Sequence, residues 1–182
     1  MFFEYQTNRL ILRVLGPDAA PQVLDFLLRD RALFERYEGD RAPMFYTEQF
    51  QRETLQYEYN LACKGMHVRF YVFLKEKPQD IIGTVCFHNI QPAMYSCCEL
   101  GYKFSSAYHH NGYASEAVEK GIDVMFTELH LHKIAAWAMP ENEPSIRLLT
   151  SLGFACEGIC RDRLYVHGRW CDHAQYSLIS PM

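Results

Sequence analysis

Two short stretches carry residue types and spacings with chemical consequences. The first, 105–114, reads Ser105-Ser106-Ala107-Tyr108-His109-His110-Asn111-Gly112-Tyr113-Ala114. A β-patterned run precedes it and a helix-patterned run follows. A strand feeding a helix through such a turn aims free backbone N–H groups at one point, where the helix dipole also favours an anion. Gly112 permits a positive φ or the close approach of a phosphate. No Gly-Lys-Ser/Thr stands here, and only one glycine lies where a dinucleotide fold needs three. A plain strand–helix corner has the same local signature. The second stretch starts at Asn142-Glu143-Pro144-Ser145 and ends at Gly153-Phe154. Asn142 suits a helix N-cap, Pro144 a first turn and Gly153 a C-terminal stop.

The elements that position these stretches follow from periodicity. Residues 7–14 (TNRLILRV) alternate as a half-buried strand. After Gly16-Pro17, Asp18 is placed to cap a helix through Val23, Phe26 and Leu27. Residues 37–46 read as loop or short helix, and a second helix is predicted from near Thr47, ending before Gly65. Strands are predicted over 69–74 and 81–88, joined by a turn at 76–80, and over 97–104. In the following helix, Ala114, Ala117, Val118, Gly121, Ile122, Met125, Phe126 and Leu129 form one apolar stripe. Its small members suit close packing on a sheet. A strand at 134–138, a helix over 145–152 and strands at 154–160 and 170–179 complete the chain. The order predicts one mixed α/β domain spanning 1–182.

Composition narrows the function classes. The 182 residues are 49% hydrophobic and 22% charged, with a net charge of −4. No clustered basic footprint for nucleic acid is present. No apolar run is long enough to span a membrane, and no secretory pattern opens the chain. Seven cysteines, mostly within apolar runs, suit a reduced, cytoplasmic protein. Cys156, Cys160, Cys171 and His173 miss zinc-ligand spacings, so no metal is expected. His130 and His132 suit the carbonyls of a helix end. Tyr37, Phe45 and Tyr46 are open to an acceptor-pocket role or to ordinary packing.

Together the two stretches resemble the GCN5-related N-acetyltransferase (GNAT) family. That family's Gln/Arg-x-x-Gly-x-Gly/Ala corner corresponds to 109–114. Its Asn-x-x-Ser/Ala leading to Gly-Phe corresponds to Asn142, Ser145, Gly153 and Phe154. Thr7-x-Arg9-Leu10-x-Leu12-Arg13, Glu99-Leu100-Gly101-Tyr102 and Gly153-Phe154-x-x-Glu157-Gly158 look like the RimJ/RimL-like branch, the ribosomal-protein N-terminal acetyltransferases. The likeness covers nearly the whole chain and is weakest over 30–65. His109, His110 and Asn111 depart from the family pattern, which leaves the backbone donors but less side-chain charge.

The resemblance implies a GNAT fold: one mixed, mostly antiparallel twisted sheet, a central splayed parallel pair and flanking helices. It implies acetyl-CoA, held by Tyr102, Lys103 and Phe104 along the splayed strand, by His109, His110, Asn111, Gly112, Tyr113 and Ala114 at the corner, and by Asn142, Ser145 and Arg147. It further implies direct attack by a primary amine, with Glu99 as base and Ser145 near the departing sulfur, since Leu149 replaces the family's common Tyr acid. A protein N-terminus is one acceptor. An antibiotic or polyamine, or a non-catalytic acyl-CoA-binding module, stays open. The sequence does not set the oligomeric state, and a homodimer remains compatible with it.

Overall fold

The computed structural model describes residues 1–39 and 41–181. Asp40, inside the stretch expected as loop or short helix, and Met182 lie outside the described residues. Eight strands form one sheet: β1 (Glu4–Gln6), β2 (Leu10–Arg13), β3 (Val68–Leu74), β4 (Lys77–Gln91), β5 (Cys97–Phe104), β6 (Lys133–Ala138), β7 (Ala155–Val166) and β8 (Arg169–Ile179). Their order is β1-β2-β3-β4-β5-β6-β8-β7. Every pairing is antiparallel except β5–β6, the parallel pair at the centre. That pairing runs from Cys97↔Lys133 to Leu100↔Ala136 and stops. Tyr102, Lys103 and Phe104 on one side, and Trp137 and Ala138 on the other, diverge beyond it.

Helices cover both faces. α4 (Tyr113–Thr127) and α5 (Glu143–Ser151) pack on one, where Leu100, Phe104, Ala117, Val118, Met125 and Leu149 share the main core. α1 (Ala20–Arg29), α2 (Arg31–Glu35) and α3 (Glu48–Cys63) lie over the outer half of the other face, with Val23, Phe26, Phe34, Leu55, Tyr71, Phe73 and Ile81 in a second core. The α4 stripe buries as its periodicity predicts. Gly121 lets the helix settle on β4, for a Cβ there would lie 2.6 Å from the Phe87 ring. Among the described residues, no helix is long and apolar enough to cross a membrane.

Several expectations need correction. The strand at 7–14 is shorter, and β1 precedes it; three residues held mainly by pairing to β2 leave little local signal. Asp18 does not cap α1, because Pro17–Ala19 forms a 3₁₀ turn and α1 starts at Ala20, with Pro21 in its first turn. α2 falls in a stretch, 31–35, to which the sequence pattern assigns no element. The 76–80 turn is mostly strand: β3 and β4 are joined by Lys75 and Glu76 alone. Pro78 is tolerated because the β3–β4 register breaks there, between Phe73↔Ile81 and Leu74↔Lys77, so no ladder donor is missed. Thr47 caps α3, its hydroxyl accepting from Phe50 N–H at 3.3 Å.

Candidate active site

The strand–helix corner has the form of an anion cradle. After β5, a 3₁₀ turn spans Ser106–Tyr108, and Asp30 anchors it by accepting from the Ser105 and Ser106 hydroxyls, each at 2.6 Å. His110 and Gly112 take left-handed conformations, with φ of 61° and 75°. Gly112 is the N-cap of α4, and among the described residues no side chain accepts from the N–H groups of that helix end. The first-turn N–H groups therefore stay free for a ligand. The His109 ring turns back and donates to Phe104 O at 2.9 Å, so that side chain braces the loop. Asn111 does the same, donating to His109 O at 2.8 Å.

Arg9 supplies charge that the corner lacks in sequence. Its guanidinium donates to Asn111 O at 2.9 Å, lies 4.6 Å from the Tyr113 ring centre and pairs with Glu116 at 2.7 Å. Burial raises the Glu116 pKa, but hydrogen bonds from Thr7 and Arg9 outweigh it and hold the carboxyl below its ordinary value. Arg9 was visible only as part of the Thr7-x-Arg9 opening. Its position against α4 depends on contacts across 102 and 107 residues.

The splay brings β5 against α5. Asn142 caps α5 as expected, its Oδ1 accepting from Ser145 N–H at 3.4 Å. Tyr102 Oη lies 2.8 Å from Ser145 Oγ and 3.2 Å from Ser145 O. Burial raises the Tyr102 phenol to about 12, so it keeps its proton. The Tyr102 hydroxyl, absent from the sequence-based role for that residue, joins Ser145 in one hydrogen-bonded pair. Leu149 is fully buried in the core. Arg147 sits on the exposed side of α5, paired with Glu143 at 2.9 Å.

Strand alternation sends Glu99 and Lys103 to the opposite face. Burial raises the Glu99 pKa, yet Asn89, His88 and Arg163 together hold it below the ordinary carboxylate range. Asn89 donates to it at 3.0 Å, Arg163 Nη2 approaches at 3.4 Å and His88 Nε2 at 3.8 Å. Lys103 pairs with Glu38, and burial still leaves its ammonium pKa below the ordinary value. The β7–β8 hairpin closes one flank: Tyr37 packs on Met139, Val166 and Cys171, and His167 Nε2 donates to Glu35 O at 2.9 Å. Phe45 and Tyr46 pack against the second core.

Further along the same face lies a charged group. Glu58 takes Arg69 in a bidentate pair with both closest contacts at 2.8 Å, and His67 at 3.3 Å. Cys86 Sγ lies 3.4 Å from the same His67 nitrogen. Burial raises the Cys86 pKa, but Arg69 and the hydrogen-bonding imidazoles of His67 and His88 bring it to about 6. A hollow of about 320 Å³ opens beside Glu58 and His67, lined also by Phe50, Glu53, Thr54 and Tyr57. Of the cysteines considered for zinc, Cys171 is buried, whereas Cys156 and Cys160 are exposed on β7.

Comparison with known proteins agrees with this geometry. Residues 9–155 match the family described as "Acetyltransferase (GNAT) domain". The probable N-acetyltransferase YjcK of Bacillus subtilis (strain 168) is 32% identical over 173 residues, 94% of each chain. A ribosomal-protein-S5-alanine acetyltransferase structure from Vibrio fischeri aligns with a TM-score of 0.93 at 30% identity, covering 98% of this chain and 97% of that one. The Mycobacterium smegmatis RimJ structure in complex with CoA-disulfide shares the fold, with a TM-score of 0.88 at 24% identity over 95% and 84% of the two chains. The mixed sheet and its flanking helices are thus a shared architecture, and this chain belongs to the GNAT family of N-acetyltransferases.

Proposed function

We propose that this enzyme moves the acetyl group of acetyl-CoA to the α-amine of a protein N-terminus by direct attack. One observation carries the reading. Where the parallel ladder stops at Leu100↔Ala136, Glu99 faces one side of the sheet, while Tyr102 and Ser145 meet on the other. An acceptor base and a donor for the leaving sulfur thus flank one gap from opposite sides. The α4 N-terminus, with Gly112, Tyr113 and Ala114, suits the pyrophosphate; Arg9 adds a guanidinium at its rim. The backbone of Tyr102, Lys103 and Phe104, unpaired with β6, suits the pantetheine amides. Bound there, acetyl-CoA supplies the activated thioester.

Energetics assign the polar groups. An ordinary thiol titrates near ~8.5, so passing a proton from a phenol at about 12 to the departing sulfur runs uphill by roughly 3.5 units, about 5 kcal/mol. The Tyr102–Ser145 pair therefore stabilises that sulfur by hydrogen bonding, with Ser145 Oγ–H directed to it and Tyr102 donating behind. Glu99, held low, is a weak proton acceptor. That suits an α-amine near ~8 better than a lysine near ~10.4, whose free form costs about 3 kcal/mol more at neutral pH. The name of the Vibrio fischeri relative points to the same acceptor class. Seven unpaired thiols suit a reducing, cytoplasmic setting.

Two measurements test the reading. Acetyl-CoA at about 100 times its dissociation constant should stabilise the fold by roughly 2.7 kcal/mol. Thiol release should then be at least about 100-fold faster with an alanine-initiated peptide than with an N-terminally blocked lysine peptide. A faster lysine reaction overturns the α-amine assignment.

A further inference from the structure

Arg163 occupies an irregular place in the sheet. The β7–β8 register breaks between Cys160↔His173 and Leu164↔Cys171, so 161–163 stand opposite Asp172 alone. Asp162 takes a φ of 50°, and its N–H donates to Asp172 Oδ1 at 2.9 Å. Such a bulge re-aims the next side chain. Arg163 turns inward, its guanidinium carbon 3.5 Å from the Trp137 ring centre and Nη2 at 3.4 Å from Glu99 Oε2.

Trp137 is the first β6 residue past the last parallel pair, at the mouth of the splay. Its indole N–H is buried and hydrogen-bonds to nothing among the described residues. An aromatic face, a carboxylate and an orphaned donor thus meet beside the gap. A ring face with a carboxylate beside it attracts a cation. A buried donor without a partner is costly, and marks a place for an acceptor oxygen that the protein itself does not supply.

We propose that the Trp137 face and the Glu99 carboxylate form the subsite for the acceptor's ammonium group, and that Arg163 occupies it in the free enzyme as an internal stand-in, displaced when the acceptor binds. An α-ammonium with a neighbouring carbonyl matches both features: the charge replaces the guanidinium, and the carbonyl oxygen answers the indole N–H. Arg163 is held loosely enough to leave. Glu99 is its single hydrogen-bonding partner among the described residues, through one long contact, whereas Arg69 grips Glu58 through three. About 29% of its side chain remains exposed. The inference rests on the amine-acceptor reading and deepens it: acceptor binding competes with an intramolecular cation, which disfavours neutral molecules and weakly bound amines.

The test uses the full chain with Trp170→Phe, which leaves Trp137 as the reporter, since the chain has two tryptophans. L-Alaninamide is the probe, and propionamide, which lacks the ammonium, the control. Alaninamide should change Trp137 fluorescence and propionamide should not. Arg163→Gln should tighten alaninamide about fivefold, roughly 1 kcal/mol at 1.4 per tenfold. Arg163→Lys, which keeps a cation there, should fall between the two. Weaker or unchanged alaninamide binding in Arg163→Gln overturns the stand-in, as does equal binding of propionamide. Thiol release with an alanine-initiated peptide is measured in parallel. Turnover without tightening removes this inference alone, and tightening without turnover removes the acetyl-transfer reading alone.

Discussion

Replacing Ser145 by Ala isolates the hydrogen bond assigned to the departing sulfur. The backbone cap survives, because Asn142 accepts from the Ser145 N–H rather than from its hydroxyl. The Tyr102 phenol also stays satisfied, with Ser145 O 3.2 Å away after Oγ is gone. Little stability should be lost, and the melting temperature should move by no more than a few degrees. A hydrogen bond to a charged group contributes about 1.5–3 kcal/mol. If it forms only as charge develops on sulfur, its loss falls on kcat. At about 1.36 kcal/mol per tenfold, the expected fall is roughly 10- to 150-fold. Steady-state thiol release at saturating peptide measures kcat, and the KM for acetyl-CoA should change less than about threefold. Tyr102→Phe in the Ser145→Ala background should add almost nothing, since the phenol acts through Oγ. A kcat within twofold of the parent, or strict additivity of the two substitutions, would refute the assignment.

Gly112→Ala should weaken acetyl-CoA. The site is open, with the nearest atom 3.5 Å from a Cβ, but a φ of 75° strains any L-residue and distorts the N–H cradle. The expected signs are a raised KM for acetyl-CoA and a smaller thermal shift with it. Glu58→Gln should cost about 2 kcal/mol in chemical denaturation, between the values for exposed and buried pairs, since Arg69 and His67 both lose their anion. Burial raises the Glu58 pKa, but His67 and Arg69 hold it at about 2. A carboxyl held that low stabilises the fold above its unfolded value near ~4.3 and loses the effect as pH falls towards 2. The melting temperature should therefore fall across that acid window, and less so in Glu58→Gln. Equal acid sensitivity in the two proteins would exclude Glu58 as a source.

Local pattern alone determined the elements that carry the cofactor reading. The α4 stripe, the β5 run and the glycine at 112 each depend on periods of two or 3.6 and on the backbone freedom of one residue, and these act within a few positions. The α5 cap was legible for the same reason. Tertiary structure decided β1, three residues that become strand by pairing with β2, and the fate of Pro78, which depends on a register break against β3. It also decided what each polar side chain meets. Tyr102 and Ser145 are 43 residues apart, Arg163 and Glu99 are 64 apart, and Arg9 and Glu116 are 107 apart. No local rule sets such distances. They follow from strand order and register, which fix which side chains share a face only after the whole sheet has formed.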